Sequence, residues 1–151
     1  MRRFVLGIAL ALLGTWRADA QAQGMVAAAN PMAVEAGLEV LRRGGTAMDA
    51  AVAVQMALTV VEPHASGIGG GGFLLYYDAQ SGGITVYDGR ETAPAGAKPD
   101  MFLTAEGGPL DFRSAVASGI SVGVPGVVAM LELAHRERGR LAWSELFASS
   151  I

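Results

Sequence analysis

The sequence predicts an α/β (α+β) fold in the form of one partial domain, and three observations predict it. Helix-start signals occur at Asn30-Pro31 and at Thr46-Ala47-Met48-Asp49, each followed by apolar residues that suit a helix. Further along, Phe73-Leu74-Leu75-Tyr76-Tyr77-Asp78 and Ile84-Thr85-Val86-Tyr87 are strand-like runs joined by Ala79-Gln80-Ser81-Gly82-Gly83, a hairpin pattern. Apolar residues make up 52% of the 151 residues and charged ones 17%, too little charge to coat an ordinary surface. Some apolar faces are therefore expected to await a partner segment. The ending Leu146-Phe147-Ala148-Ser149-Ser150-Ile151, apolar and without a helix-stopping Gly or Pro, carries the same expectation of a truncated chain. The alternative is a natural C-terminus that ends in an apolar tail.

Residues 1–20 read as a secretory signal peptide. Arg2 and Arg3 give a positive start, Phe4 to Leu13 is an apolar stretch interrupted only by Gly7, and Ala18-Asp19-Ala20 offers small residues where a signal peptidase acts. Cleavage is expected after Ala20, with export to the periplasm or to the medium. About ten apolar residues are too few to span a hydrocarbon core of ~30 Å, and Arg17 and Asp19 follow at once. No stable membrane insertion is expected there, nor at the equally short apolar run from Ala50 to Val61, which suits a helix buried in protein.

In the remaining stretch, residues 21–151, the apolar segment Met25 to Ala29 leads to Asn30-Pro31, an N-cap followed by a first-turn proline. Ala33, Ala36, Gly37, Val40 and Leu41 then share one helical face, and Gly44-Gly45 end the helix after Arg42-Arg43. Thr46 and Asp49 have capping-box spacing and open a second helix that is apolar nearly all round until Glu62-Pro63. Its small residues Ala50, Ala51, Ala53 and Ala57 allow close packing. The glycine loop Gly67 to Gly72 is expected to turn the chain into a buried strand of the hairpin. Ala93 to Gly108 is irregular, and Ser114 to Gly123 is too weakly patterned to assign. A third helix is expected from Pro125 to the charged end His135-Arg136-Glu137-Arg138 before Gly139, and a last one from about Trp143.

Several chemistries are excluded by composition. With 11 basic against 14 acidic residues the formal charge is −3, so no basic field is available to neutralise phosphates and nucleic acid is not a partner. The absence of cysteine removes disulfides, thiolate nucleophiles and Cys-type metal sites. His64 and His135 lack H-E-x-x-H spacing and suggest no zinc site. Ser66, Ser118 and Ser121 form no G-x-S-x-G, and Lys98 belongs to no S-x-x-K arrangement, so a self-contained serine hydrolase is not expected.

Two motifs remain. Gly67, Gly69 and Gly72 have the G-x-G-x-x-G spacing, yet a dinucleotide turn needs a strand before it and a helix after it, the reverse of the order predicted here. The structural reading is that Gly69, Gly70, Gly71 and Gly72 permit a sharp turn where side chains would meet neighbouring chain. Arg90, in Tyr87-Asp88-Gly89-Arg90-Glu91-Thr92-Ala93-Pro94, follows a strand and offers a guanidinium that can hold a carboxylate by two parallel hydrogen bonds. On residues alone, a solvated arginine paired with Asp88 or Glu91 is the favoured reading, since surface ion pairs are common.

These pieces in this order resemble the γ-glutamyltransferase family: Val60-Val61-Glu62-Pro63-His64, the loop Gly67 to Phe73, Asp88-Gly89-Arg90-Glu91-Thr92-Ala93-Pro94, Ser118-Gly119, and Val122-Gly123-Val124-Pro125-Gly126. The resemblance runs from about Gly24 to the end and implies the N-terminal part of the large subunit of such an enzyme. It further implies an αββα sandwich of the N-terminal-nucleophile type and an exported precursor that cuts itself into two subunits. The nucleophile would be the freed N-terminal threonine of the small subunit, beyond Ile151, with its own amine as base. The substrate would be glutathione or another γ-glutamyl amide, the acceptor water or an amino acid, and no cofactor is expected. By the resemblance Arg90 binds the α-carboxylate of the γ-glutamyl group and the adjacent Glu91 orients it. A glutaryl- or cephalosporin-type acylase of the same fold, or an inactive truncated fragment, are the alternatives.

Overall fold

The computed structural model describes residues 24–151, so the predicted signal peptide lies outside the described residues. Helix α1 (Pro31–Arg42) starts as expected, with the Asn30 side chain accepting the Met32 N–H and Pro31 in the first turn. Helix α2 (Ala47–Val61) opens on a complete capping box: Thr46 accepts the Asp49 N–H, and the Asp49 carboxylate accepts the Thr46 N–H. The two helices pack closely through Ala33, Ala36 and Ala57. A Cβ at Gly37 would come within 2.7 Å of Val54, so the small residue lets α1 approach α2.

Strands β1 (Phe73–Asp78) and β2 (Gly83–Asp88) form the expected hairpin, with Leu74 opposite Tyr87 and Tyr76 opposite Thr85. One face of this ribbon carries Leu74, Tyr76 and Tyr87 onto the main core. That core joins Met48, Val52, Ala53 and Met56 of α2 to Val127, Met130, Leu131 and Ala134 of α4 (Val127–Arg138), closed by Leu146. The opposite face is exposed at Phe73, Leu75, Tyr77, Ile84 and Val86. Among the described residues the strand after the glycine loop, expected to be buried, is covered on one face and exposed on the other. Among the described residues the sheet has two strands, and only one of its faces has elements packed on it.

Three further differences have local causes. The stretch left unassigned holds the short helix α3 (Phe112–Ala117), capped by the Asp111 carboxylate, and a 3₁₀ turn at Gly119–Ser121. Helix α4 begins at Val127 rather than at Pro125, because Val124 is held extended by a bridge to Thr92 and Pro125 continues that arm. The final segment, Trp143–Ser150, is 3₁₀ rather than α. No helix among the described residues is long and apolar enough to cross a membrane.

Candidate functional site

Arg90 lies where the chain leaves β2. Pairing continues one step past the strand, with the Gly89 N–H donating to the Gly72 carbonyl at 3.0 Å and the Gly72 N–H donating to Gly89 at 3.2 Å. Beyond it, the Asp88 carboxylate accepts the Arg90 N–H at 2.9 Å and fixes the bend. Thr92 then pairs with Val124 in both directions, so Arg90 and Glu91 occupy a short arc pinned at both ends. The Arg90 side chain is 71% exposed, and its Nε lies 3.5 Å from Glu91 Oε2. Such an exposed pair at that separation is worth little. Among the described residues neither terminal guanidinium nitrogen has a partner, so the planar fork is available to a carboxylate.

Glycines surround this arc. The Gly70 carbonyl accepts the N–H groups of Gly126 and Val127, both at 3.2 Å, and so ties the glycine loop to the start of α4. A Cβ at Gly71 would lie 2.5 Å from the Gly89 carbonyl and 2.6 Å from Glu91 Oε2, and one at Gly126 would lie 2.5 Å from the Gly89 carbonyl. Nothing lies within 4 Å of a Cβ at Gly69 or Gly72, and no glycine of the run has a positive φ. Of the run Gly69 to Gly72, read as a turn where side chains would meet neighbouring chain, such close approach is found at Gly71. The loop follows α2 and precedes β1, the reverse of a dinucleotide-binding turn.

Two hollows flank the arc, with Glu91 in the wall of both. One, of about 390 Å³, is lined by Arg90 together with Pro94, Met101, Phe102, Ile120 and Val122. The other, of about 580 Å³, lies between the glycine loop, α2 and α4, near His64. His64 is exposed beside Glu62.

His135 is a structural residue. Its Nε2 lies 3.0 Å from the Leu141 carbonyl and 3.2 Å from Asp49 Oδ1, and two acceptors at one nitrogen require that nitrogen to carry the proton. Asp49, fully buried, also accepts the backbone N–H groups of Arg140 and Leu141. Sequence reasoning found only its capping role, since its other backbone partners are 91 and 92 residues away.

The family model described as Gamma-glutamyltranspeptidase matches residues 33–151. The glutathione hydrolase proenzyme of Bacillus subtilis (strain 168) is 50% identical over 133 residues, which is 88% of this chain and 23% of that protein. The corresponding proenzyme of Escherichia coli (strain K12) is 44% identical over 79% of this chain and 20% of its own length. Among solved structures, the gamma-glutamyltranspeptidase of Pseudomonas nitroreducens complexed with L-DON is 38% identical with a TM-score of 0.79, covering 84% of this chain and 37% of that one. A cephalosporin acylase from Bacillus halodurans is 32% identical with a TM-score of 0.61, covering 80% and 22%. The chain thus spans under a quarter of the full length of those two proenzymes.

Proposed function

Because the chain belongs to the gamma-glutamyltranspeptidase family, we propose that the complete protein transfers a γ-glutamyl group from glutathione or a similar γ-glutamyl amide to water or to an amino acid or peptide. Residues 1–20 act as an export signal, placing the mature protein in the periplasm or outside the cell, and residues 21–151 form the N-terminal part of the large subunit. The rest of the protein supplies the other half of an αββα sandwich and a small subunit released by self-cleavage. The threonine at the new N-terminus attacks the γ-amide carbonyl, its hydroxyl proton passing to the α-amine and then to the departing amine. Water or an amino group next attacks the acyl-enzyme.

The observation that carries this reading is the free guanidinium fork of Arg90, pinned at the end of β2 and beside a hollow of about 390 Å³. It grips the α-carboxylate of the donor, and Glu91 orients it. A second reading, an acylase for carboxylate-bearing side chains, draws support from the likeness to the Bacillus halodurans acylase.

Kinetics of the complete enzyme test the assignment. Arg90→Ala is expected to raise KM for a γ-glutamyl anilide by about 10- to 100-fold, since charge-assisted hydrogen bonds contribute about 1.5–3 kcal/mol. Arg90→Lys keeps the charge but loses the fork and recovers part of that loss. Unchanged KM and kcat in both variants contradict the assignment. A glutaryl anilide turned over as well as the γ-glutamyl anilide favours the acylase.

A further inference from the structure

Glu91 is fitted into space that two glycines from separate loops leave empty. Its carboxylate end occupies the region of a Cβ at position 71, which would lie 2.6 Å from Oε2 and 2.8 Å from the Glu91 N. Its own Cβ would lie 2.8 Å from a Cβ at position 123, and its Cγ 3.6 Å. Real side chains do not tolerate separations near 2.6–2.8 Å, so a methyl group at either position displaces Glu91. Both loops are themselves anchored: the glycine loop through Gly70 to the N–H groups of Gly126 and Val127, the second loop through Val124 to Thr92.

From this geometry we propose that Gly71 and Gly123 are positioning residues for recognition of the donor carboxylate. They act through Glu91, the chain neighbour of Arg90 in the pinned arc, and so set where the guanidinium fork points. The inference rests on the assignment of Arg90 above and extends it to two residues that touch no substrate. Gly123 is the better probe. A Cβ at position 71 would also strike backbone, the Gly89 carbonyl at 2.5 Å, whereas at position 123 the tight contact is with the Glu91 side chain and the Thr92 carbonyl is 3.3 Å away.

The test measures one ratio in the complete processed enzyme: kcat/KM for a γ-glutamyl anilide over kcat/KM for the 4-aminobutanoyl anilide, which lacks only the α-carboxylate. A merely structural defect lowers both rates and leaves the ratio alone. The wild-type ratio is expected to be large, and Gly123→Ala is expected to lower it about tenfold or more, the scale of loss from a small misplacement of a binding group. Glu91→Gly is expected to lower it as well. The double variant Glu91→Gly/Gly123→Ala, where the added methyl has room, is expected to match Glu91→Gly rather than to multiply the losses.

A wild-type ratio near one removes the Arg90 assignment itself. A large wild-type ratio that Gly123→Ala leaves unchanged, or losses that multiply in the double variant, overturn the role of the glycines alone. Where Gly123→Ala gives no processed enzyme, recovery of processed enzyme in the double variant supports the proposal and its absence overturns it.

Discussion

A single carboxylate, Asp49, shows how much one buried side chain can hold together. It accepts hydrogen bonds from Thr46 at the start of α2 and from Arg140 and Leu141 after α4, and it faces Nε2 of His135. Removing one acceptor leaves buried donors without partners, which costs about 1–3 kcal/mol for each. Asp49→Asn is expected to lower the unfolding free energy by about 2 kcal/mol in urea titrations. The donor KM of the folded enzyme should stay unchanged, because none of these contacts reaches Arg90. The placement of Arg90 and Glu91 just past β2 was legible in the sequence because the turn that presents them is local: Asp88 bonds the backbone two residues on. The fit of Glu91 against Gly123 was not, since a strand-end turn and a glycine 32 positions later carry no local sign of contact.

At the scale of elements, the hairpin is fastened to α4 by polar as well as apolar contacts. Tyr87 donates its hydroxyl to Glu137 at 2.7 Å, and Arg138 lies over the Tyr76 ring and 3.7 Å from Asp78. Burial, with the Glu137 carboxylate adding to it, raises the Tyr87 pKa above the ordinary phenol value, while Arg138 pulls it the other way. The folded state thus holds this proton more tightly than the unfolded chain. The stability so gained is complete below the unfolded value of about 10 and is lost as pH rises through the folded value. Melting temperature is expected to fall more steeply above pH 10 in the wild type than in Tyr87→Phe, which has no proton to lose. Capped α1 and α2 and the hairpin were readable from local chemistry. The start of α4 was not, because the Thr92–Val124 bridge that keeps Pro125 outside the helix is tertiary.

For the molecule as a whole, the unbalanced composition has a visible counterpart. Phe73, Leu75, Tyr77, Ile84 and Val86 form one apolar face of the ribbon, and nothing among the described residues covers it. In the αββα sandwich proposed above, this face would lie in the interior, against a sheet contributed by the rest of the protein. Leu75, 69% exposed here, is a direct probe of that packing. In the complete precursor Leu75→Glu would bury an unpaired carboxylate, a change that costs several kcal/mol. Loss of soluble, processed enzyme is the expected outcome, and normal yield and processing would show the face to be a true surface.

The most direct measurement is a crystal structure of the complete, processed protein with glutamate bound. The Arg90 guanidinium is predicted to meet the α-carboxylate through two parallel N–H donors at about 2.7–2.9 Å, with Glu91 still beside Nε. A bound glutamate whose α-carboxylate is held by other groups, with Arg90 turned to solvent, would contradict the account.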